Sequence, residues 1–147
     1  MAQIIPYLNF KGNCEEVFTF YKSTLGGEFP YIGRYKDMPP SEDPSKSFPK
    51  EFDDKVMHMS LVMPDGTTIM GSDACGPWGD SSVVGNNVQL SINATSEENA
   101  QQIFDGLSAG GNIGMPLGKT FWGALFGMFS DKYGINWMVN YDYPQEP

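Results

Sequence analysis

The chain has 147 residues, and its 40% hydrophobic and 14% aromatic content predicts a folded globular domain rather than a disordered segment. Its formal net charge of −9, from nine basic against eighteen acidic residues, excludes the basic surface that nucleic acid or an anionic membrane requires. No apolar run reaches the roughly 18 residues that cross a bilayer, and the N-terminal segment lacks the pattern of a secretory signal, so we expect a cytoplasmic protein.

The first half of the chain predicts one helix among four strands. The helix begins after a cap at Asn13 and ends at Gly26, because apolar residues recur between them at helical spacing. A Pro-Asp-Gly turn at 64–66 predicts a hairpin, and the proline-rich stretch 37–54 predicts a loop that is either a surface insertion or a lid. The predicted strands lie at 3–10, 28–36, 55–63 and 67–73.

The second half repeats this order. A helix capped by Thr95 or Ser96 runs to about Ala109, at an offset of 82 to 84 residues from the first helix. The turn at Gly134 follows the turn at Gly66 by 68 residues. Because a half-size unit buries only one face of its sheet, we expect two such units to share a ligand-binding cleft. The predicted strands of this half lie at 86–93, 111–118, 121–130 and 135–141.

Three segments of the chain resemble the PhnB-like group of the vicinal oxygen chelate superfamily, which includes glyoxalases, bleomycin-resistance proteins and dioxygenases. The segments are IPYLNFKGNCEEVFTFYKSTLGGE, HMSLVMPDGTTIMGSD and TFWGALFGMFSDKYGINWMVN. The resemblance implies an α+β fold in which two tandem βαβββ modules form a curled mixed-sheet half-barrel around a small molecule, and it implies a homodimer. It divides the single glyoxalase-like domain, 1–147, into a module at 1–74, a link at 75–85 and a module at 86–147.

The resemblance also places the metal-ligand positions of the superfamily on the first and last strand of each module. In this chain those positions are Tyr7, Met70, Gln89 and Met138. None is a histidine, cysteine or carboxylate, which are the donors that a divalent transition metal needs, so we expect no metal. The Gly-rich turn and acidic ribose partner of a methyltransferase that uses S-adenosylmethionine are also missing, so we expect no cofactor.

Strand alternation predicts that the cleft is lined by amides, a hydroxyl and thioethers, a mixture suited to a neutral or weakly polar small molecule. The chain has nine methionines, and several on one face would form an adaptable pocket. Three aromatic residues, Trp122, Phe126 and Trp137, are expected in the helix-facing core. The predicted ligand-binding residues are Tyr7, Asn9, Met70, Gln89 and Met138, and alternation extends their faces to Ile5, Asn87, Ser91, Asn136 and Asn140.

The only histidine, His58, leaves alternatives open. It is either a structural residue that is hydrogen-bonded within the sheet or a catalytic acid–base group, since histidine is suited to proton transfer near neutral pH. As a metal ligand it would need helpers such as Asp73. The leading hypothesis is a metal-free small-molecule-binding protein. The rivals are a lyase, isomerase or dioxygenase-type enzyme that uses His58, and a structural dimer whose own side chains fill the cleft.

Overall fold

The computed structural model describes residues 2–39, 48–76 and 82–145. The chain divides into two compact units, Met1–Val83 and Val84–Pro147. Each unit contains one α-helix and one open four-stranded mixed sheet, which confirms the α+β fold of two tandem modules. The module boundaries at 74/75 and 85/86 stay a prediction, and residues 77–81 of the predicted link lie outside the described residues.

In the first unit the sheet has the strand order β1-β4-β3-β2, with β1 parallel to β4 and the other neighbours antiparallel. Helix α1 packs on β3 and β4 through the fully buried Val17, Phe18 and Tyr21. At the contact, a Cβ on Gly71 would lie 2.8 Å from the Phe18 ring, so the helix needs a glycine there. The elements are β1 (Tyr7–Phe10), α1 (Cys14–Leu25), β2 (Ile32–Arg34), β3 (Val56–Val62) and β4 (Thr68–Asp73).

The second unit has the same arrangement, with the order β5-β8-β7-β6 and β5 parallel to β8. Helix α2 packs on β6, β7 and β8, where the Phe104 ring meets the Phe129 ring edge-on with 5.1 Å between centroids. The Ser96 hydroxyl caps α2 by accepting a hydrogen bond from the amide of Asn99, as predicted. The elements are β5 (Leu90–Asn93), α2 (Glu97–Ser108), β6 (Asn112–Lys119), β7 (Ala124–Ser130) and β8 (Asn136–Asp142).

In each unit the described residues include one buried aspartate, Asp73 in the first and Asp131 in the second. The Asp73 carboxylate accepts hydrogen bonds from the amides of Gly12, Cys14 and Val56, at 2.9 to 3.0 Å. Asn13 occupies the N-cap position of α1 as predicted, but its side chain makes no capping hydrogen bond. The capping carboxylate therefore comes from β4, a distant strand that the local sequence pattern does not reveal.

Several predicted strands are too long. Strand β1 begins at Tyr7 rather than at residue 3, β2 covers only Ile32–Arg34, and β5 begins at Leu90 rather than at residue 86. The loop predicted at 37–54 contains short 3₁₀ turns at its two ends, Tyr35–Asp37 and Lys50–Phe52, and residues 40–47 lie outside the described residues.

Candidate functional site

The side chains of each sheet divide between a helix side and an opposite face, here called the helix-free face. In the first sheet Tyr7 of β1 lies opposite Met70 of β4, and Met70 lies opposite Ser60 of β3. Directly opposed residues project from the same face of a sheet. Since Gly71, one residue along from Met70, faces α1, this row belongs to the helix-free face.

His58 of β3 projects from the same face, because it lies two residues from Ser60. The Tyr7 hydroxyl lies 3.1 Å from Nδ1 of His58, and the two rings stack with 5.5 Å between centroids and an interplanar angle of 28°. A neutral imidazole carries a proton on only one nitrogen. When Nδ1 of His58 accepts the hydrogen bond of the Tyr7 hydroxyl, that proton is on Nε2. Among the described residues none hydrogen-bonds to Nε2, so this N–H remains for a ligand. His58 is half-buried and Tyr7 is 46% exposed.

Tyr31 completes an aromatic cluster that the sequence reasoning missed. Its ring lies 5.9 Å from the His58 ring, centroid to centroid, and is 51% exposed. The ring reaches this position across Gly33, since a Cβ on Gly33 would overlap the Tyr31 hydroxyl. The only signal in the sequence is the glycine two residues after the tyrosine within a predicted strand. Tyr7, His58 and Tyr31 are called the aromatic cluster below.

Two further predicted residues lie on this face, and one predicted partner does not. Asn9 lies directly opposite Ser72, whose hydroxyl donates to the Asn9 side-chain oxygen over 3.3 Å. Met70 is half-buried and lies in register with Tyr7. Asp73, considered a helper of His58, is only 1% exposed and points to the helix side, where three backbone amides use its carboxylate. That expectation is wrong.

Two thiols and one phenol near Asp73 have raised pKa values. Both cysteines are buried and free. Burial, with the nearby charges of Asp73 and Glu15, raises the pKa of the Cys14 thiol far above its usual range. Burial also raises the pKa of Cys75, and burial beside Cys75 raises the pKa of Tyr35, whose hydroxyl donates to the Asp73 carbonyl. These groups are therefore structural rather than nucleophilic.

In the second sheet the row that corresponds to Tyr7, Met70 and Ser60 has other side chains. Met138 of β8 lies opposite Met128 of β7 on one side and Ser91 of β5 on the other. Gln89, the predicted counterpart of Tyr7, is exposed and lies two residues before Ser91, outside β5. The register therefore gives Ser91, not Gln89, as the residue beside Met138.

Two of the three aromatic residues expected in the helix-facing core of this unit lie elsewhere. Trp137 is 2% exposed and donates its Nε1 proton to Asp131 over 2.8 Å, as a core residue should. Phe126 lies opposite Asn140, two residues from the row of Met128, so it projects from the helix-free face. Trp122 is 56% exposed and stacks edge-on against Phe121.

The donor atoms at the metal positions implied by the resemblance do not fit a divalent metal. They are the Tyr7 phenol and the Met70 and Met138 thioethers, joined by the Gln89 amide or the Ser91 hydroxyl. Zinc, iron and manganese need imidazole, thiolate or carboxylate donors. Across residues 2–39, 48–76 and 82–145, no three His, Cys, Asp or Glu side chains gather as a metal centre would require.

Comparison with known proteins places this fold in a family. A model of the Glyoxalase/Bleomycin resistance protein/Dioxygenase superfamily matches residues 4–139. The chain is 37% identical over 138 residues to Protein YjdN of Escherichia coli K12, a match that covers 92% of each chain. Neither described α-helix has both the length and the apolar character to cross a membrane.

Solved structures of similar proteins have the same fold. The Pseudomonas aeruginosa protein PA1353 is 37% identical and has a TM-score of 0.80, with 97% of this chain and 98% of that chain covered. The PhnB protein of Bacillus cereus is 27% identical and has a TM-score of 0.69, with 95% and 99% covered. The fold and the PhnB-like resemblance inferred from the sequence are thus confirmed.

Proposed function

We propose that this chain, which belongs to the Glyoxalase/Bleomycin resistance protein/Dioxygenase superfamily, binds a small organic molecule without the help of a divalent metal. The donor atoms at its metal positions do not fit such a metal. The binding surface in this proposal is the helix-free face of the first sheet. The ligand is neutral or weakly polar and carries an aromatic ring and a hydrogen-bond acceptor. The predicted binding residues Tyr7, Asn9 and Met70 belong to this surface, as does His58.

The aromatic cluster is the observation that carries the proposal. The rings of Tyr7 and Tyr31 each lie within 6 Å of the His58 ring, and both are about half exposed, so they offer faces and edges on which a flat ligand can stack. The Met70 thioether provides an adaptable apolar contact beside them. The His58 Nε2 proton supplies one directed hydrogen bond, and the Asn9 amide supplies another at the edge of the sheet.

The charges around the cluster favour a neutral ligand. On the helix-free face of the first sheet, the described residues that line this surface are Tyr7, Asn9, Tyr31, His58, Ser60, Met70 and Ser72, none of which is a fixed charge. A charged ligand would lose its hydration here without gaining an ion pair. The net charge of −9 further disfavours anions. Gln89 and Met138, the predicted binding residues of the second unit, stay predictions and are not part of this surface.

An enzyme of the lyase, isomerase or dioxygenase type is the second candidate, and the Tyr7–His58 hydrogen bond is the observation that favours it. A phenol that holds one ring nitrogen fixes the tautomer and orientation of an imidazole, which is how a general acid or base is positioned. Turnover of a carbonyl compound that changes with one ionisation near neutral pH and is lost in His58→Phe would support catalysis. Binding without any turnover would leave only the first candidate.

We also propose that the protein is a cytoplasmic homodimer and has no nucleic acid partner. Membership of the superfamily supports the dimer, and the acidic charge opposes nucleic acid binding. Light scattering on the purified protein at micromolar concentration tests the dimer. A mass that corresponds to one chain at every concentration would contradict it.

The direct test is a thermal-shift screen of neutral aromatic aldehydes, ketones and amides, because a ligand of the native state raises the melting temperature by mass action. Compounds that stabilise the wild type should stabilise Tyr7→Phe less, with affinity about 3- to 10-fold weaker, since the variant no longer orients His58. Tyr143→Phe is the matched control, because it removes another phenol that donates a hydrogen bond, to Glu97, in the other unit. Equal affinity in both variants, or stoichiometric zinc, iron or manganese in the purified protein, would contradict the proposal.

A further inference from the structure

The second sheet carries three methionines in one register row. Met115 of β6 lies opposite Met128 of β7, and Met128 lies opposite Met138 of β8. Directly opposed residues of neighbouring strands have Cβ atoms about 4.5–5.5 Å apart on the same face. The register therefore places the three thioethers along one line across the helix-free face, with a register shift of β6 on each side of Met115. They are called the methionine row below.

The methionine row is accessible and adaptable. Met115 is 47% exposed because β6 is an edge strand, and Met128 and Met138 are half-buried. A methionine side chain has three rotatable bonds, so the two outer side chains can lean toward the central one. The three sulfur atoms can thereby converge on a single point above β7.

The electrostatic surroundings of the row favour a cation. The other side chains that β5, β7 and β8 place on this face are neutral or acidic, with no lysine or arginine in these described strands. They are Ser91, Asn93, Phe126, Ser130, Asn136, Asn140 and Asp142. Strand β6 ends in Lys119, which lies opposite Leu125 and therefore on the helix side. The whole chain carries a net charge of −9, which attracts cations at long range.

Thioether sulfur is a soft, neutral donor. It binds monovalent copper and silver and has little affinity for zinc, magnesium or manganese, which take imidazole, carboxylate or water. A set of three thioethers with no carboxylate or imidazole beside them therefore selects a soft ion. The metal-ligand positions of the superfamily would instead require imidazole, thiolate or carboxylate donors for a divalent metal.

We propose that Met115, Met128 and Met138 bind one soft monovalent cation, Cu(I) or Ag(I). The site differs from the proposed ligand surface, since it lies on the second sheet and shares only Met138 with the predicted binding residues. Neither Met115 nor Met128 is among the predicted binding residues, and the row emerges only from the strand register.

The test is a titration of the full chain, labelled with ¹³C at the methionine methyl groups, with silver nitrate in chloride-free buffer. Ag(I) is the probe because it needs no reductant. Of the nine methionine methyl signals, those of Met115, Met128 and Met138 should shift and saturate at one ion per chain. Single Met→Leu variants assign the signals, and zinc added at the same concentration should leave all nine unchanged.

Methionine variants then distinguish silver binding at the methionine row from silver binding at other sulfur atoms. The triple variant Met115→Leu, Met128→Leu, Met138→Leu preserves side-chain volume and should weaken silver binding by about 100-fold or more, with thermal unfolding confirming that it folds. Met38→Leu, an exposed methionine of the first unit, is the matched control and should bind silver as the wild type does. The proposal is overturned if silver leaves the three signals in place, or if the triple variant binds as tightly as the wild type through Cys14 or Cys75.

Discussion

The helix-free faces of the two sheets occupy equivalent positions and differ in chemistry. A shift of 68 residues relates Ser60 to Met128 and Met70 to Met138 in the same pairing. At that shift His58 corresponds to Phe126, and the strand beside Met138 presents Ser91 where the first sheet presents Tyr7. The first face therefore carries His58 and Tyr7 where the second carries Phe126 and Ser91, and the second has Met128 where the first has Ser60, so a duplicated frame does not imply a duplicated site.

The helix sides of the two sheets differ less, since each buries one aspartate as an acceptor for backbone or indole N–H groups. Asp73 accepts from three backbone amides, and Asp131 accepts from the amides of Tyr133 and Ile135 and the Trp137 indole. Both carboxylates are at most 3% exposed. The aspartates are thus part of the framework, and both proposed sites lie on the opposite faces.

The largest expected effect is on this framework. Asp73→Ala leaves three amides near the start of α1 and β3 without their acceptor, which should cost about 3–5 kcal/mol and lower the melting temperature by roughly 10 °C. Calorimetry measures both quantities. Asp65→Ala is the matched control, because Asp65 also accepts from a backbone amide but is exposed, and its loss should cost about 1 kcal/mol or less. Equal losses in the two variants would contradict the framework role of Asp73.

Replacing His58 by the residue at the equivalent position of the second sheet sharpens the contrast between the two faces. His58→Phe keeps a ring beside Tyr7 and removes the Nε2 proton, so the affinity for a stabilising compound should fall about tenfold. His58→Ala removes the ring as well and should weaken binding further. Isothermal calorimetry of the two variants separates hydrogen bonding from stacking. If His58→Phe binds like the wild type, the ligand does not use the imidazole nitrogen.

A smaller effect is expected from the glycine under the cluster. In Gly33→Ala the new methyl group displaces the Tyr31 ring, which is half exposed and free to rotate, so stability should change by about 1 kcal/mol or less. Ligand affinity should nevertheless fall about threefold or more, because the Tyr31 ring of the aromatic cluster moves. Gly114→Ala serves as the control, because a Cβ at this strand glycine of β6 would lie an ordinary 3.8 Å from the Met128 carbonyl oxygen. Unchanged affinity in Gly33→Ala would remove Tyr31 from the site.

The smallest effect concerns the buried thiols. Since the pKa of Cys14 is raised in the folded state, the unfolded chain releases this proton first, and stability should fall as pH rises above about 8.5, the ordinary thiol value. In Cys14→Ala this part of the pH dependence should disappear. Iodoacetamide at pH 8 should modify Cys14 in the native protein about 100-fold more slowly than in the chain unfolded in urea. Equal labelling rates would show that the thiol is not buried.

The helices could be predicted closely because their apolar spacing, terminal glycines and the Ser96 cap are local signals. Strand registers could not, since alternation repeats every two residues and leaves Gln89 and Ser91 on one face; only the pairing of β5 with β8 decides between them. The face of His58 was likewise open, because the strand VMHMSLVM is apolar on both sides of the histidine. The methionine row depends on pairing between strands, so no local pattern predicts it, and the one local signal for Tyr31 is Gly33 two residues later.

The most direct test of the central claim is methyl NMR of the metal-stripped protein. After treatment with a chelator, a neutral aromatic ketone or amide that stabilises the protein is titrated while the Met70 methyl and His58 ring signals are followed. We expect both signals to shift together and to saturate, with the same affinity before and after chelation. Shifts confined to signals outside the first sheet, or binding that is lost with the metal, would contradict a metal-free ligand surface built on Tyr7, His58 and Met70.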